Sequence, residues 1–186
     1  MKENKKSING LWPINKVCNV LFNYPTKEFH IRELSRLTKL STTAVINAVT
    51  ALQKQELVKI EENFTKNIKS NIESETYTHY KMLLNITNII RLGIITEIKN
   101  IYNNPECITL FGSFARGEDI ERSDIDILII TQNTKKNIQK EKISLWEKEL
   151  NRTINLHILN SINKSSDEFK NAIANGMVLY GYQKVI

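Results

Sequence analysis

The chain is poor in cysteine and has no long apolar run. Its 186 residues include two cysteines, Cys18 and Cys107. They lie far apart and lack metal-ligand spacing, so neither a disulfide framework nor a zinc site is implied. Both are expected as reduced, small hydrophobes. No apolar stretch approaches the roughly 18 residues that a membrane-spanning helix needs. The opening segment, MKENKKSINGLW, is positively charged but has no apolar core, which excludes a signal peptide reading. These absences predict a cytoplasmic protein with no membrane partner. The length fits one ordinary domain or two small ones. At 41% hydrophobic and 25% charged residues, the composition is that of a globular chain rather than a disordered one.

What is present is unevenly spread. Residues 1–85 carry 13 Lys/Arg against 8 Asp/Glu, whereas residues 86–186 carry 13 against 12. Nearly all of the formal charge of +6 therefore belongs to the first half. A basic half suggests an anionic partner, nucleic acid being the commonest.

Hydrophobic spacing in that half predicts three helices. INKVCNVLFNY (14–24) places Ile14, Val17, Cys18 and Leu21 at helical intervals before Pro25. FHIRELSRLTKL (29–40) is a second amphipathic segment, with Ile31, Leu34 and Leu37 expected inward. In STTAVINAVTALQKQELV, Ser41 or Thr42 can cap the first turn. Val45, Ala48, Val49 and Leu52 then form a core-facing stripe. The opposite side carries Thr43, Asn47, Thr50 and Lys54, side chains that can reach base edges or phosphates. LVKIEEN (57–63) and ESETYTHYKML (73–83) read as two strands, joined by a polar loop with Lys66 and Lys69. His30 and His79 have no partner pattern. Three helices followed by a basic-tipped hairpin resemble the winged helix-turn-helix family. The resemblance implies duplex DNA as partner, with Thr43, Asn47, Thr50, Lys54, Lys66 and Lys69 at the interface. The Lys2/Lys5/Lys6 tail would add phosphate contacts.

The second half carries the chemistry. NITNIIRLGIITEIKNIYNNP (85–105) reads as one helix, ending at Asn103-Asn104-Pro105. ECITLF is then a strand, Gly112-Ser113 a turn, and FARGE a short helical start. A strand entering a helix through glycine turns backbone N–H groups outward, which favours phosphate. SDIDILII supplies a second strand. Alternation puts Asp124 and Asp126 on one face, about 7 Å apart along the strand. Two like charges in an apolar strand are costly unless a cation sits between them. Magnesium takes one or two carboxylates and completes its shell with phosphates and water.

Gly112-Ser113, ten further residues, then Asp124-Ile125-Asp126-Ile127, resembles the signature of the DNA polymerase β-like nucleotidyltransferase superfamily. The fuller LFGSFARG and SDIDILI look most like its minimal members. That resemblance implies nucleotide phosphate contact for Gly112 and Ser113, and catalytic metal binding, Mg²⁺ or Mn²⁺, for Asp124 and Asp126. Arg116 matches a common basic position, with phosphate contact or pairing with Glu118 or Asp119 as its roles. A third carboxylate is often found on a later strand, in a segment of the form R-x-hydrophobic-Asp-Leu. Here Arg152-Thr153-Ile154-Asn155-Leu156 puts Asn155 at that position. An amide is neutral and is no base. His157, two residues on, reads as a half-buried strand histidine ahead of a substitute base or ligand.

The expected fold class is α+β: a winged helix-turn-helix over 1–84, then a small α/β nucleotidyltransferase domain with a mixed sheet over 85–186. The expected activity moves a nucleoside monophosphate from an NTP, ATP first, to a hydroxyl of a protein or RNA acceptor. The alternative is a DNA-binding regulator whose degenerate nucleotidyltransferase domain only senses nucleotide. The acceptor would come from a partner, a second subunit or the winged helix, and a homodimer is one allowed assembly.

Overall fold

The structure is a computed structural model that describes residues 6–62 and 66–184, with side chains described from residue 14 and not for 62–66. Lys2 and Lys5 lie outside the described residues, as do the side chains of Lys6 and Lys66. Among the described residues there are eight helices and seven strands, divided into two compact units, Met1–Thr78 and His79–Ile186.

The first unit runs α1 (Lys6–Asn23), β1 (Phe29–His30), α2 (Ile31–Thr38), α3 (Thr42–Lys54), β2 (Val58–Glu62) and β3 (Lys66–Ser70). Ser41 caps α3, its side chain accepting from the Ala44 N–H at 3.2 Å. Val45, Ala48, Val49 and Leu52 are all buried, as their spacing predicts. α2 ends at Lys39, which adopts a left-handed conformation (φ 56°) and so turns the chain into α3. The three strands form an antiparallel sheet in the order β1-β3-β2, with Ile60 opposite Ile68.

Three expectations fail here. Phe29-His30 is not the start of a helix but a short strand paired with Ile68 and Asn67. Leu37, expected inward, is 48% exposed. The second strand of the hairpin is Lys66–Ser70, while 73–83 belongs to a helix, α4 (Glu75–Arg91). On α4 the buried residues are Tyr77, Lys81, Asn85 and Ile89, four apart, which is a helical stripe. Two of the four are polar, so hydrophobic spacing alone does not show it.

The predicted helix 85–105 is likewise two. Gly93 takes φ 67° between α4 and α5 (Ile94–Tyr102). After α5 come β4 (Cys107–Phe111), α6 (Gly112–Arg116), β5 (Ile125–Ile130), α7 (Lys140–Leu150), β6 (Ile154–Leu159), α8 (Asp167–Ala174) and β7 (Met177–Gly181). The sheet order is β6-β5-β4-β7. β5 and β6 are parallel, joined across α7, while β4 is antiparallel to both β5 and β7. The sheet is therefore mixed. Ile125, Ile127 and Ile129 face a core that includes Ile98, Tyr102 and Trp146. Leu128 and Ile130 face the other side, with Phe111 and Ile173. Burial on both faces explains why β5 is apolar except at Asp126.

No helix among the described residues is long and apolar enough to cross a membrane.

Candidate active site

β4 delivers the chain into α6 through Gly112, whose φ of 77° only glycine adopts without strain. A β-carbon there would lie 2.8 Å from Asp126 Oδ2. Glycine thus suits the left-handed turn, and its missing β-carbon leaves the Asp126 carboxylate in place. Ser113 follows, half-buried.

Asp126 lies on β5 opposite Phe111 of β4 and beside Asn155 of β6. Asp124 stands just before β5 and is exposed. Asn155 Nδ2 donates to Asp124 Oδ2 and to Asp126 Oδ1, each at 3.3 Å. His157 Nε2 lies 3.2 Å from the same Asp126 Oδ1. Its ring packs against Phe111 and Phe169, at centroid distances of 5.1 and 5.3 Å. A nitrogen facing a carboxylate carries its proton there. His157 therefore orients Asp126 and offers no base at Nε2.

The structure thus brings Gly112, Asp124, Asp126, Asn155 and His157 together. Arg116 is exposed, and its Nε donates to Glu118 Oε2 at 2.8 Å, one of the two pairings open from sequence.

Spacing gave no sign of Asp119's surroundings. Its side chain is fully buried and bonds Lys81 Nζ at 2.7 Å, Asn85 Nδ2 at 2.7 Å and Arg152 at 3.2 Å. Asn85 also donates to the Phe114 carbonyl of α6. Burial lowers the pKa of Lys81, and the Asp119 charge opposes that shift. The network ties α4 to the segment between Gly112 and Asp124, and to the start of β6. The only sequence signal is polar residues at buried helical positions, Lys81 and Asn85.

The resemblance drawn from the Gly-Ser turn and the paired aspartates implies a divalent cation here. Asp124 and Asp126 suit one ion whose shell is completed by phosphate and water. Among the described residues, no group of three or more His, Cys, Asp or Glu side chains is arranged to hold a metal ion. The donor set fits a substrate-completed site rather than an all-protein cage. An open polar cleft of about 410 Å³ adjoins Asp124, lined in part by Arg122, Ser123, Lys148 and Thr153.

In the first unit, Thr43, Asn47, Thr50 and Lys54 all lie on the exposed side of α3. Lys69 is held by Glu61, and Lys59 by Glu73.

Residues 94–184 match the family model for Polymerase beta, Nucleotidyltransferase. The match spans a little under half of the chain and includes every residue of the acid site. The second unit thus carries a nucleotidyltransferase-like domain. No curated protein matches the chain. One solved structure, described as a "putative nucleotidyltransferase" from Sulfolobus solfataricus, is 20% identical and covers 56% of this chain and 90% of its own. Its TM-score is 0.32.

Proposed function

We propose that the second unit transfers a nucleoside monophosphate from an NTP, ATP first, to a hydroxyl of a protein or RNA acceptor. The observation that carries this reading is the packing of Gly112 against the Asp126 carboxylate, which makes the Gly-Ser turn and the acid pair one site. Gly112 and Ser113 would bind phosphate oxygens by backbone approach and by the hydroxyl. Asp124 and Asp126 would hold Mg²⁺ or Mn²⁺, which supplies neutralisation of phosphate charge. Asn155 and His157 would fix the acids' orientation through their N–H groups. The acceptor oxygen forms the new bond to the α-phosphorus, the bond to the β-phosphate oxygen breaks, and pyrophosphate leaves. The hydroxyl proton passes to water, since His157 Nε2 faces Asp126.

The first unit is read as a winged helix that binds duplex DNA. Its support is the element order, the antiparallel sheet β1-β3-β2 and the polar outer side of α3.

A second reading has its own observation. Where a third carboxylate would stand, the amide nitrogen of Asn155 faces both acids. A site missing that charge binds nucleotide but activates an acceptor poorly. One charge at short range is worth several kcal/mol at most after solvent relaxation, and about 1.4 kcal/mol of barrier is tenfold in rate. On this reading the chain is a nucleotide-sensing regulator.

Pyrophosphate release measured with each NTP and Mg²⁺ or Mn²⁺, with and without cell lysate as acceptor source, separates the two. Transfer predicts lysate-dependent release that Asp126→Asn abolishes. Sensing predicts no release by the wild type and gain of release by Asn155→Asp, with ATP affinity nearly unchanged. Rapid wild-type turnover left intact by Asn155→Ala would contradict any role for position 155 as the missing acid.

A further inference from the structure

Ile46 is an apolar side chain set within an otherwise polar helix face. It is 49% exposed, although burial of an isoleucine side chain is favourable. At 100° per residue, Thr43, Ile46, Asn47 and Thr50 fall within one outward arc of α3, and all four are exposed. The buried stripe of the same helix occupies the other side.

Exposed cations lie on α2, at the turn into α3 and at the end of α3. Arg32 and Arg36 lie one turn apart on α2, Lys39 forms the turn into α3, and Lys54 closes α3. All four are exposed, and among the described residues none of them forms a salt bridge. Among the described side chains elsewhere in the unit, the lysines are engaged: Lys16 by the Thr38 carbonyl, Lys27 by Glu33, Lys59 by Glu73 and Lys69 by Glu61. The cations left for an external anion therefore cluster around α2 and α3 rather than on the described part of the hairpin.

On α3 itself Ile46 is the one exposed apolar side chain among hydroxyls, an amide and a lysine, although Leu37 of α2 is exposed as well. Ile46 is well suited to a major groove, where thymine alone presents a methyl group. Adenine presents an acceptor and a donor that an asparagine amide matches in two bonds.

We infer that α3 reads an A·T-containing step, with Ile46 against a thymine C5-methyl and Asn47 on an adenine edge. Arg32, Arg36, Lys39 and Lys54 contact the flanking phosphates. The inference rests on the reading of the first unit as a duplex-DNA binder and names the base chemistry it recognises.

The test uses the full chain. Duplexes are selected from a randomised library, and each thymine of the bound site is then replaced in turn by deoxyuridine, which lacks only the methyl. At one position, replacement should weaken binding about fourfold, the transfer value of one methyl group. Ile46→Ala should weaken binding to the thymine duplex similarly and erase the difference between thymine and deoxyuridine. Asn47→Ala should cost about tenfold and relax the preference for adenine at a neighbouring position. Thermal unfolding should be the same for both variants and the wild type, since both side chains are exposed.

If selected duplexes bind equally with deoxyuridine at every position, the inference is overturned while DNA binding stands. If no duplex binds even at low salt, the DNA reading itself falls. If Ile46→Ala leaves DNA affinity intact but changes the sedimentation of the protein, the side chain belongs to a protein contact, which also overturns the inference.

Discussion

Asp119 and the pair Asp124/Asp126 lie within eight residues of one another, in opposite circumstances. Asp119 is fully buried and surrounded by Lys81, Arg152 and Asn85. Its charge is compensated within the protein. Asp124 is exposed and Asp126 is 27% exposed. Among the described residues, no Lys or Arg pairs with either. Their recorded partners are one amide and one imidazole. A carboxylate with internal cations holds structure. Two adjacent carboxylates without them leave charge for something from outside. That contrast, rather than the presence of acids as such, is what supports placing the proposed site at the second pair.

The largest effect should come from the buried acid. Asp119→Ala leaves two buried cations without their counter-charge and should destabilise the protein by about 3–5 kcal/mol in denaturant unfolding. Asp124→Asn and Asp126→Asn, by contrast, should change stability by less than about 1 kcal/mol, as expected away from the core. Equal losses at Asp119 and Asp126 would erase the distinction.

Next in size is Gly112→Ala. The left-handed backbone costs about 1–2 kcal/mol with a β-carbon, and that carbon would meet Asp126 Oδ2. Nucleotide affinity should fall about tenfold alongside the stability. A variant less stable but unchanged in nucleotide affinity would uncouple the turn from the acid pair.

The smallest effect concerns Lys81. Burial holds its pKa below the ordinary 10.5, with Asp119 opposing. The unfolded chain then binds a proton that the folded chain has released. This group therefore adds stability as pH rises through its folded pKa toward 10.5, and the addition is absent at lower pH. Lys81→Met should remove that rise. Parallel stability curves for the variant and wild type in the alkaline range would show that Lys81 titrates normally.

These two kinds of acid were not equally legible in the sequence. Gly112-Ser113 and Asp124-x-Asp126 stand out because a strand, a turn and a second strand impose fixed spacing on side chains of distinct chemistry. The α3 stripe was equally plain, since four apolar residues at helical intervals are all buried. The Asp119 network was hidden because its helical partners are polar. Lys81 and Asn85 occupy core positions, so α4 lost its amphipathic signature, and the alternation in Tyr-Thr-His-Tyr imitated a strand. Lys66–Ser70 failed for the converse reason. It is a strand with Ile68 as its one apolar residue, held by pairing to both β1 and β2. Nothing in the sequence distinguishes Arg32, Arg36 and Lys39 from other cations, because only the structure separates exposed cations in salt bridges from those outside them.

The central claim is that Asp124 and Asp126 bind a nucleotide through a divalent cation. Calorimetric titration of ATP with and without Mg²⁺, on wild type, Asp124→Asn and Asp126→Asn, tests it most directly. The expected result is Mg²⁺-dependent binding by the wild type, lost in both variants, with unfolding midpoints preserved. Unchanged Mg²⁺-dependent affinity in both variants would contradict it.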